Sequence, residues 1–255
     1  MPTPQHIDAL VDRIRCVQTE DEKTELIGHL GQTAKPYIVS FVNAHAVNLC
    51  WHSDAVLASF QASDLLLRDG IGLKLALSAL GRPVGLNMNG TDFIPLLLGR
   101  LSRRRVVLYG TESPWLDAAR DRLAAATPHE YADLQHGFHD DDHYIACARR
   151  TRPDVIVLAM GMPRQERVAV RLKAELDHPV LIINGGAVVD FLAQRFDRAP
   201  VLVQRVGLEW LYRLAQEPRR LSHRYLVGGV GFVRNVMVLR RLAGARAAGA
   251  QAQGV

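Results

Sequence analysis

The residues with the clearest chemical reach lie where short β-branched runs end. The stretch 153–166 reads Pro-Asp-Val-Ile-Val-Leu-Ala-Met-Gly-Met-Pro-Arg-Gln-Glu: a strand, a turn at Gly161, then the polar start of a helix. Open α/β sheets bind ligands at the carboxyl ends of their strands, where such turns sit. Gln165 and Glu166 stand where a nucleotide or sugar could be read by hydrogen bonds, or where a helix merely begins. Two more runs end the same way, at Gly110 and at Gly185-Gly186. Glycine lets a phosphate approach the backbone, and the N-terminus of the following helix favours negative charge. Three such turns on one sheet suggest a shared rim for a nucleotide. None fits G-x-G-x-x-G or G-x-x-x-x-G-K-[ST], which disfavours a dinucleotide oxidoreductase and a P-loop NTPase.

Asp69 ends another apolar run and is followed by Gly70 and Gly72. A carboxylate there could act as a general base, or could cap the helix that opens at Ile71. The stretch 136–143 holds three histidines and three aspartates. It mixes hard and soft donors in no known ligand spacing, so a solvated loop is expected and no metal is assigned. His45 and His52 are expected to be surface or interior histidines. Cys16, Cys50 and Cys147 are far apart and odd in number, as in reduced thiols of a reducing compartment.

These positions need elements to hold them. Apolar spacing predicts helix over 7–30, strand over 37–42, helix over 44–59, a short strand at 64–67 and helix over 73–80. A further helix spans 93–101, with Thr91 or Asp92 as its cap. A second series follows: strands at 106–109, 131–134, 155–160 and 180–183, with helices at 115–126, 143–150 and 165–176. The alternation implies parallel sheets covered by helices. The reading is two Rossmann-like α/β lobes, 1–100 and 101–197, plus a helical Arg-rich appendage, 198–255, whose end from Ala243 is expected to fray.

Charge is unevenly placed. Eleven arginines and three acids fall between Arg195 and Arg246, net +8, whereas the rest of the chain carries 20 bases and 23 acids. Arginine grips phosphate bidentately. The stretch 219–241 could lie in a membrane interface, or pack as a terminal helix pair with a basic outer face. Its apolar run, Tyr225 to Leu239, is about 15 residues and too short to span a bilayer. The polar N-terminus is no signal peptide. Nucleic-acid binding is not expected, because aromatics are few and no known module is visible.

Taken in order, several motifs resemble the WecG/TagA/CpsF family of bacterial glycosyltransferases (glycosyltransferase family 26). They are Asn43-Ala44-His45; Asp69-Gly70-Ile71-Gly72; Gly90-Thr91-Asp92; Pro153-Asp154 through Gly161-x-Pro163-x-Gln165-Glu166; Gly185-Gly186-Ala187 with Asp190-Phe191; Arg198-Ala199-Pro200; and Gly207-Leu208-Glu209-Trp210-x-x-Arg213-Leu214 with Glu217-Pro218-x-Arg220. The resemblance implies metal-independent, cofactor-free, inverting transfer of a sugar from a UDP-sugar to a polyprenyl-diphosphate-linked glycan. The enzyme would be cytoplasmic and peripheral on the inner face of the cell membrane, against an anionic lipid surface. Asp69 would be the base. Gly110, Gly161, Gln165, Gly186 and Asp190 would bind the UDP part, with Asn43, Thr91, Asp92, Glu166 and Gly185 as further substrate contacts. Arg213, Arg220 and Arg224 would close over the site and meet diphosphate charge. Phe41 departs from the family, whose members often carry Thr there. The alternatives are a nucleotide-sugar oxidoreductase and a non-enzymatic docking component of a polysaccharide assembly.

Overall fold

The computed structural model describes residues 1–252; the side chains of Arg220 and of 246–252 lie outside the described residues. Seven strands form the centre: β1 (Ile14–Arg15), β2 (Tyr37–Val42), β3 (Leu65–Arg68), β4 (Arg105–Gly110), β5 (Glu130–His136), β6 (Val155–Leu158) and β7 (Leu181–Asn184). Their order across the sheet is β1-β3-β2-β7-β6-β4-β5, with every pairing parallel. The expected parallel α/β architecture is present. The strand series on either side of residue 100 join where β2 pairs with β7, Tyr37 opposite Leu181 and Val39 opposite Ile183. All seven strands therefore present their carboxyl ends on one rim.

Apolar runs without alternation dictate burial on both faces of such a sheet. On one face Val39, Phe41, Val157 and Ile183 pack against Leu26, Ile94 and Leu97 of the helices Glu20–Leu30 and Gly90–Arg100. On the other, Ile38, Tyr109 and Ile182 pack against Tyr144, Val168 and Leu172 of the helices Asp141–Thr151 and Arg164–Glu175. A third cluster gathers Val42 and Leu66 with the N-terminal helices and with Phe232 and Leu239 from the C-terminus. Burial of each such large side chain contributes about 1.5–3 kcal/mol.

Several local expectations are corrected. The helix expected over 7–30 is two helices, Pro4–Asp12 and Glu20–Leu30, with β1 between them. Ile14 and Arg15 pair with Leu66 and Leu67, so the edge of β3 captures residues that helical spacing alone had claimed. The helix expected over 44–59 breaks into Ala44–His52 and Asp54–Gln61. Ser53 is extended there, and its hydroxyl accepts from the Val56 N–H, so a cap outcompetes the ladder. The cap of Gly90–Arg100 is Asn89, whose Oδ1 accepts from the Asp92 N–H at 2.9 Å, rather than Thr91 or Asp92.

Past residue 200 the chain is helical, as expected: Val201–Arg205, Glu209–Gln216, Pro218–Ser222, a π-helical turn His223–Val227, and Gly228–Ala252. The last helix runs on through Ala243, where fraying was expected. The imidazoles of His136, His139 and His143 stack with ring centres 3.8 Å apart, and no His, Cys, Asp or Glu grouping among the described residues is arranged to hold a metal.

Candidate active site

The β2–β3 register sets Val42 opposite Arg68, which brings the next residues, Asn43 and Asp69, side by side on the rim. Asn43 caps the helix Ala44–His52: its Oδ1 accepts from the Ala46 N–H at 3.1 Å. That bond orients the amide, so its Nδ2 donates to Asp69 Oδ2 at 3.1 Å. Asp69 precedes the helix Gly70–Ala79 but makes no capping bond with its side chain. The Gly70 N–H is instead taken by Asn87 Oδ1 at 2.8 Å. The alternative role for Asp69, as a mere helix cap, is thereby removed.

Asp69 is half-buried, and desolvation pushes its carboxyl above the usual range. The Asn43 hydrogen bond and the charges of Arg224, Arg213 and Arg68 pull it back. Arg68 lies beneath, 3% exposed, and donates to the carbonyls of Val84, Gly70 and Gly85, so its job is to shape the loop behind the carboxylate. Arg213 and Arg224 come from the appendage. The structure thus brings the Asn43–Asp69 pair and two of the three expected arginines together; the Arg220 side chain lies outside the described residues.

On the other half of the rim the glycines divide into two kinds. Gly161 (φ +78°) and Gly186 (φ +60°) have open space where a Cβ would stand, so their left-handed turns leave room beside the backbone. Gly110 and Gly185 are packing glycines: a Cβ would meet Ala159 Cβ at 2.7 Å and Val188 Cγ1 at 2.6 Å. Gln165 and Glu166 are 0% and 1% exposed, beneath these turns rather than on the surface. Gln165 Oε1 accepts from the Gly186 N–H at 3.0 Å, and its Nε2 donates to Glu166 Oε1 at 2.8 Å. Glu166 Oε2 is buried without a hydrogen bond, and burial pushes this carboxyl up to about 7.

The appendage is tied to the core by charge. Arg198 binds Asp92 and reaches Glu209 at 3.6 Å. Just ahead of the appendage, Arg195 bridges Asp190 at 3.2 Å and the Thr111 hydroxyl at 3.0 Å. Arg213 lies 4.9 Å above the Phe191 ring. Thr91 is half-buried in the first turn of Gly90–Arg100. Phe41 is 3% exposed and packs edge-on against Phe93, so it fills the floor under that helix. Three further residues near these elements were given no site role from the sequence. Glu209, one of three acids among the eleven arginines, sits close enough to Asp69 to be pushed up by it, after burial and Asp92. His45 is held neutral, its pKa lowered to about 4 by burial and by Arg224. Asn48 anchors the last helix.

A carboxylate facing arginines at the carboxyl rim of a parallel sheet suits transfer of a group away from an anionic carrier. The chain belongs to the glycosyl transferase WecG/TagA/CpsF family, whose description matches residues 8–247, and is a glycosyltransferase. It is similar to the N-acetylglucosaminyldiphosphoundecaprenol N-acetyl-beta-D-mannosaminyltransferase of Staphylococcus aureus strain MW2, 24% identical over 194 residues, 74% of this chain and 73% of that one. The enzyme of that name from Bacillus spizizenii is 29% identical over 171 residues, 66% of this chain and 65% of that one.

Proposed function

We propose that this glycosyltransferase moves an N-acetylhexosamine from UDP to a polyprenyl-diphosphate-linked glycan with inversion, in assembly of a bacterial surface polysaccharide. N-acetylmannosamine, named for the relatives, is the first donor to test. The observation that carries the reading is the Asp69 carboxylate, poised by Asn43 and released from capping, with the charges of Arg213 and Arg224 near enough to lower its pKa. Asp69 Oδ takes the proton of the acceptor hydroxyl; that oxygen bonds the anomeric carbon as the bond to the UDP β-phosphate oxygen breaks, and the electron pair leaves with UDP. Attack opposite the leaving group inverts the anomeric centre. The arginines stabilise the departing diphosphate without a metal, and burial makes Asp69 a stronger base than a solvated aspartate. The open turns at Gly161 and Gly186 receive the UDP part, with Asp190 near its edge.

The appendage supports work at an anionic membrane surface. Leu226, Val227, Val230, Val233 and Met237 are 51–74% exposed along one stretch, with Arg234, Arg240 and Arg241 exposed beside them. Apolar side chains entering the interface while arginines meet lipid phosphate is the physics of peripheral docking. No helix among the described residues is long and apolar enough to cross a membrane. The test is a thermal-shift screen against UDP-sugars followed by transfer assays with Asp69→Asn. Stabilisation by none of the panel, or wild-type transfer by Asp69→Asn, overturns the reading.

A further inference from the structure

The appendage meets the helix that carries the Asn43 corner through a part-buried polar contact that the reaction scheme does not use. Asn48 lies on the helix Ala44–His52, one turn beyond the corner where Asn43 holds Asp69. Its Nδ2 donates to the Gly228 carbonyl at 2.6 Å, and its Oδ1 accepts from Asn235 Nδ2 at 3.1 Å. Asn235 is 6% exposed and sits between Phe232 and Leu239, which enter the same apolar cluster as Val47 and Cys50. Gly228 and Gly231 lie beside the amide: a Cβ at Gly228 would stand 3.5 Å from Asn48 Nδ2 and one at Gly231 4.0 Å, both ordinary contact distances. Gly228, Gly231, Asn235 and Leu239 thus form one seam along the helix at helical spacing.

We propose that Asn48 and Asn235 are positioning residues for glycosyl transfer: their paired amides set the register of the last helix, and so hold the Arg224 charge against Asp69. The proposal rests on the reaction assigned above. Its physical basis is the difference between apolar and polar contacts. Phe232 and Leu239 would tolerate a slide along their groove, because burial is non-directional. A half-buried amide pair tolerates it less, since a slip breaks two directional bonds and leaves the buried Asn235 amide without its partner. The Gly228 carbonyl is the C-terminal boundary of the π-helical turn His223–Val227, which carries Arg224. A π turn is wider than an α turn and occurs frequently at functional sites. Pinning its end to Asn48 fixes where Arg224 emerges; a slip of one α-turn would carry it about 5.4 Å along the axis. Asn43 bonds Asp69, and the charged groups that act on it are Arg68, Arg213 and Arg224; Glu209 feels the Asp69 charge, and His45 feels that of Arg224.

A double-mutant cycle tests this, with Asn48→Ala and Arg224→Ala singly and together, and with UDP-N-acetylmannosamine and a polyprenyl-diphosphate-linked N-acetylglucosamine as substrates. Asn48→Ala lowers kcat about tenfold or more while the donor KM stays within about twofold, because the UDP rim is untouched. The acid limb of its pH–rate profile moves to higher pH, because Asp69 loses a cation that lowers its pKa. In the Arg224→Ala background the same substitution has no further effect on kcat. A purely structural role would instead add to the Arg224→Ala loss and leave the acid limb in place, which overturns the proposal. Asn235→Leu, apolar and of similar size, keeps the seam buried and shows the same kinetic pattern if Asn48→Ala fails to fold. Hydrogen exchange in the 221–232 segment needs no substrate: faster exchange in Asn48→Ala is expected, and unchanged exchange overturns the clasp whatever the reaction proves to be. An inactive wild type, or an active Asp69→Asn, identifies failure of the underlying reaction separately.

Discussion

Glu166 offers the sharpest quantitative test of the architecture under the rim. Its carboxyl is 1% exposed, has one oxygen bonded to Gln165 and one without a partner, and is raised from 4.5 to about 7 by burial. The titratable neighbour facing it is the Cys50 thiol, itself pushed up to about 12 by burial and then by the Glu166 charge. A raised carboxyl pKa means the folded state holds a proton that the unfolded state releases. Its stabilising contribution is complete below pH 4.5, declines as pH rises and is lost above about 7. At about 1.4 kcal/mol per pH unit, that window is worth about 3 kcal/mol. Glu166→Gln removes the titration while its carbonyl can still accept from Gln165 Nε2. The perturbation is therefore a change in pH dependence rather than a uniform loss. Urea unfolding followed by circular dichroism, at about pH 5 and about pH 8, should show the stability of Glu166→Gln relative to wild type rising by about 3 kcal/mol across the interval. A relative stability that stays constant within about 1 kcal/mol would refute a neutral, buried Glu166.

Four further outcomes follow from the same geometry. Asp69→Asn should lower kcat by about 10²–10⁴ with little change in stability, read by radiolabelled sugar transfer and thermal unfolding. Gln165→Ala releases the Gly186 N–H and should raise the donor KM more than it lowers kcat; an unchanged KM in steady-state kinetics would count against the brace. Gly110→Ala should cost about 1–3 kcal/mol of stability through its clash with Ala159, seen in urea titration, whereas Gly161→Ala should mainly weaken UDP binding by calorimetry. Replacing Val230, Val233 and Met237 with Asn should weaken sedimentation with anionic vesicles, and wild-type binding should fall steeply with salt.

Much of the fold was legible because its signals are local. The runs 155–160 and 180–183 read as strands from their apolar composition, against Val155–Leu158 and Leu181–Asn184 in the structure, and Trp115–Ala126 read as a helix. The breaks at 13–19 and at Ser53 were not legible. The first depends on pairing with β3, some 50 residues away, and the second on a cap competing with an otherwise good helical run. Gln165 and Glu166 show the same limit. Their position after a strand marked them as important, but the side from which they act depends on packing against helices far off in the chain. Residue types and spacing by themselves determined a parallel α/β protein with a glycine-lined rim, a carboxylate at Asp69 and an arginine-rich end, because each signal is carried by neighbours in sequence. Only the tertiary structure decided that Asp69 is held by Asn43 instead of capping its helix, that Gln165 and Glu166 brace the rim from beneath, and that Asn48 bonds Gly228 and Asn235 of the last helix, because burial and hydrogen-bond pairing are set by residues that meet only when the chain has folded.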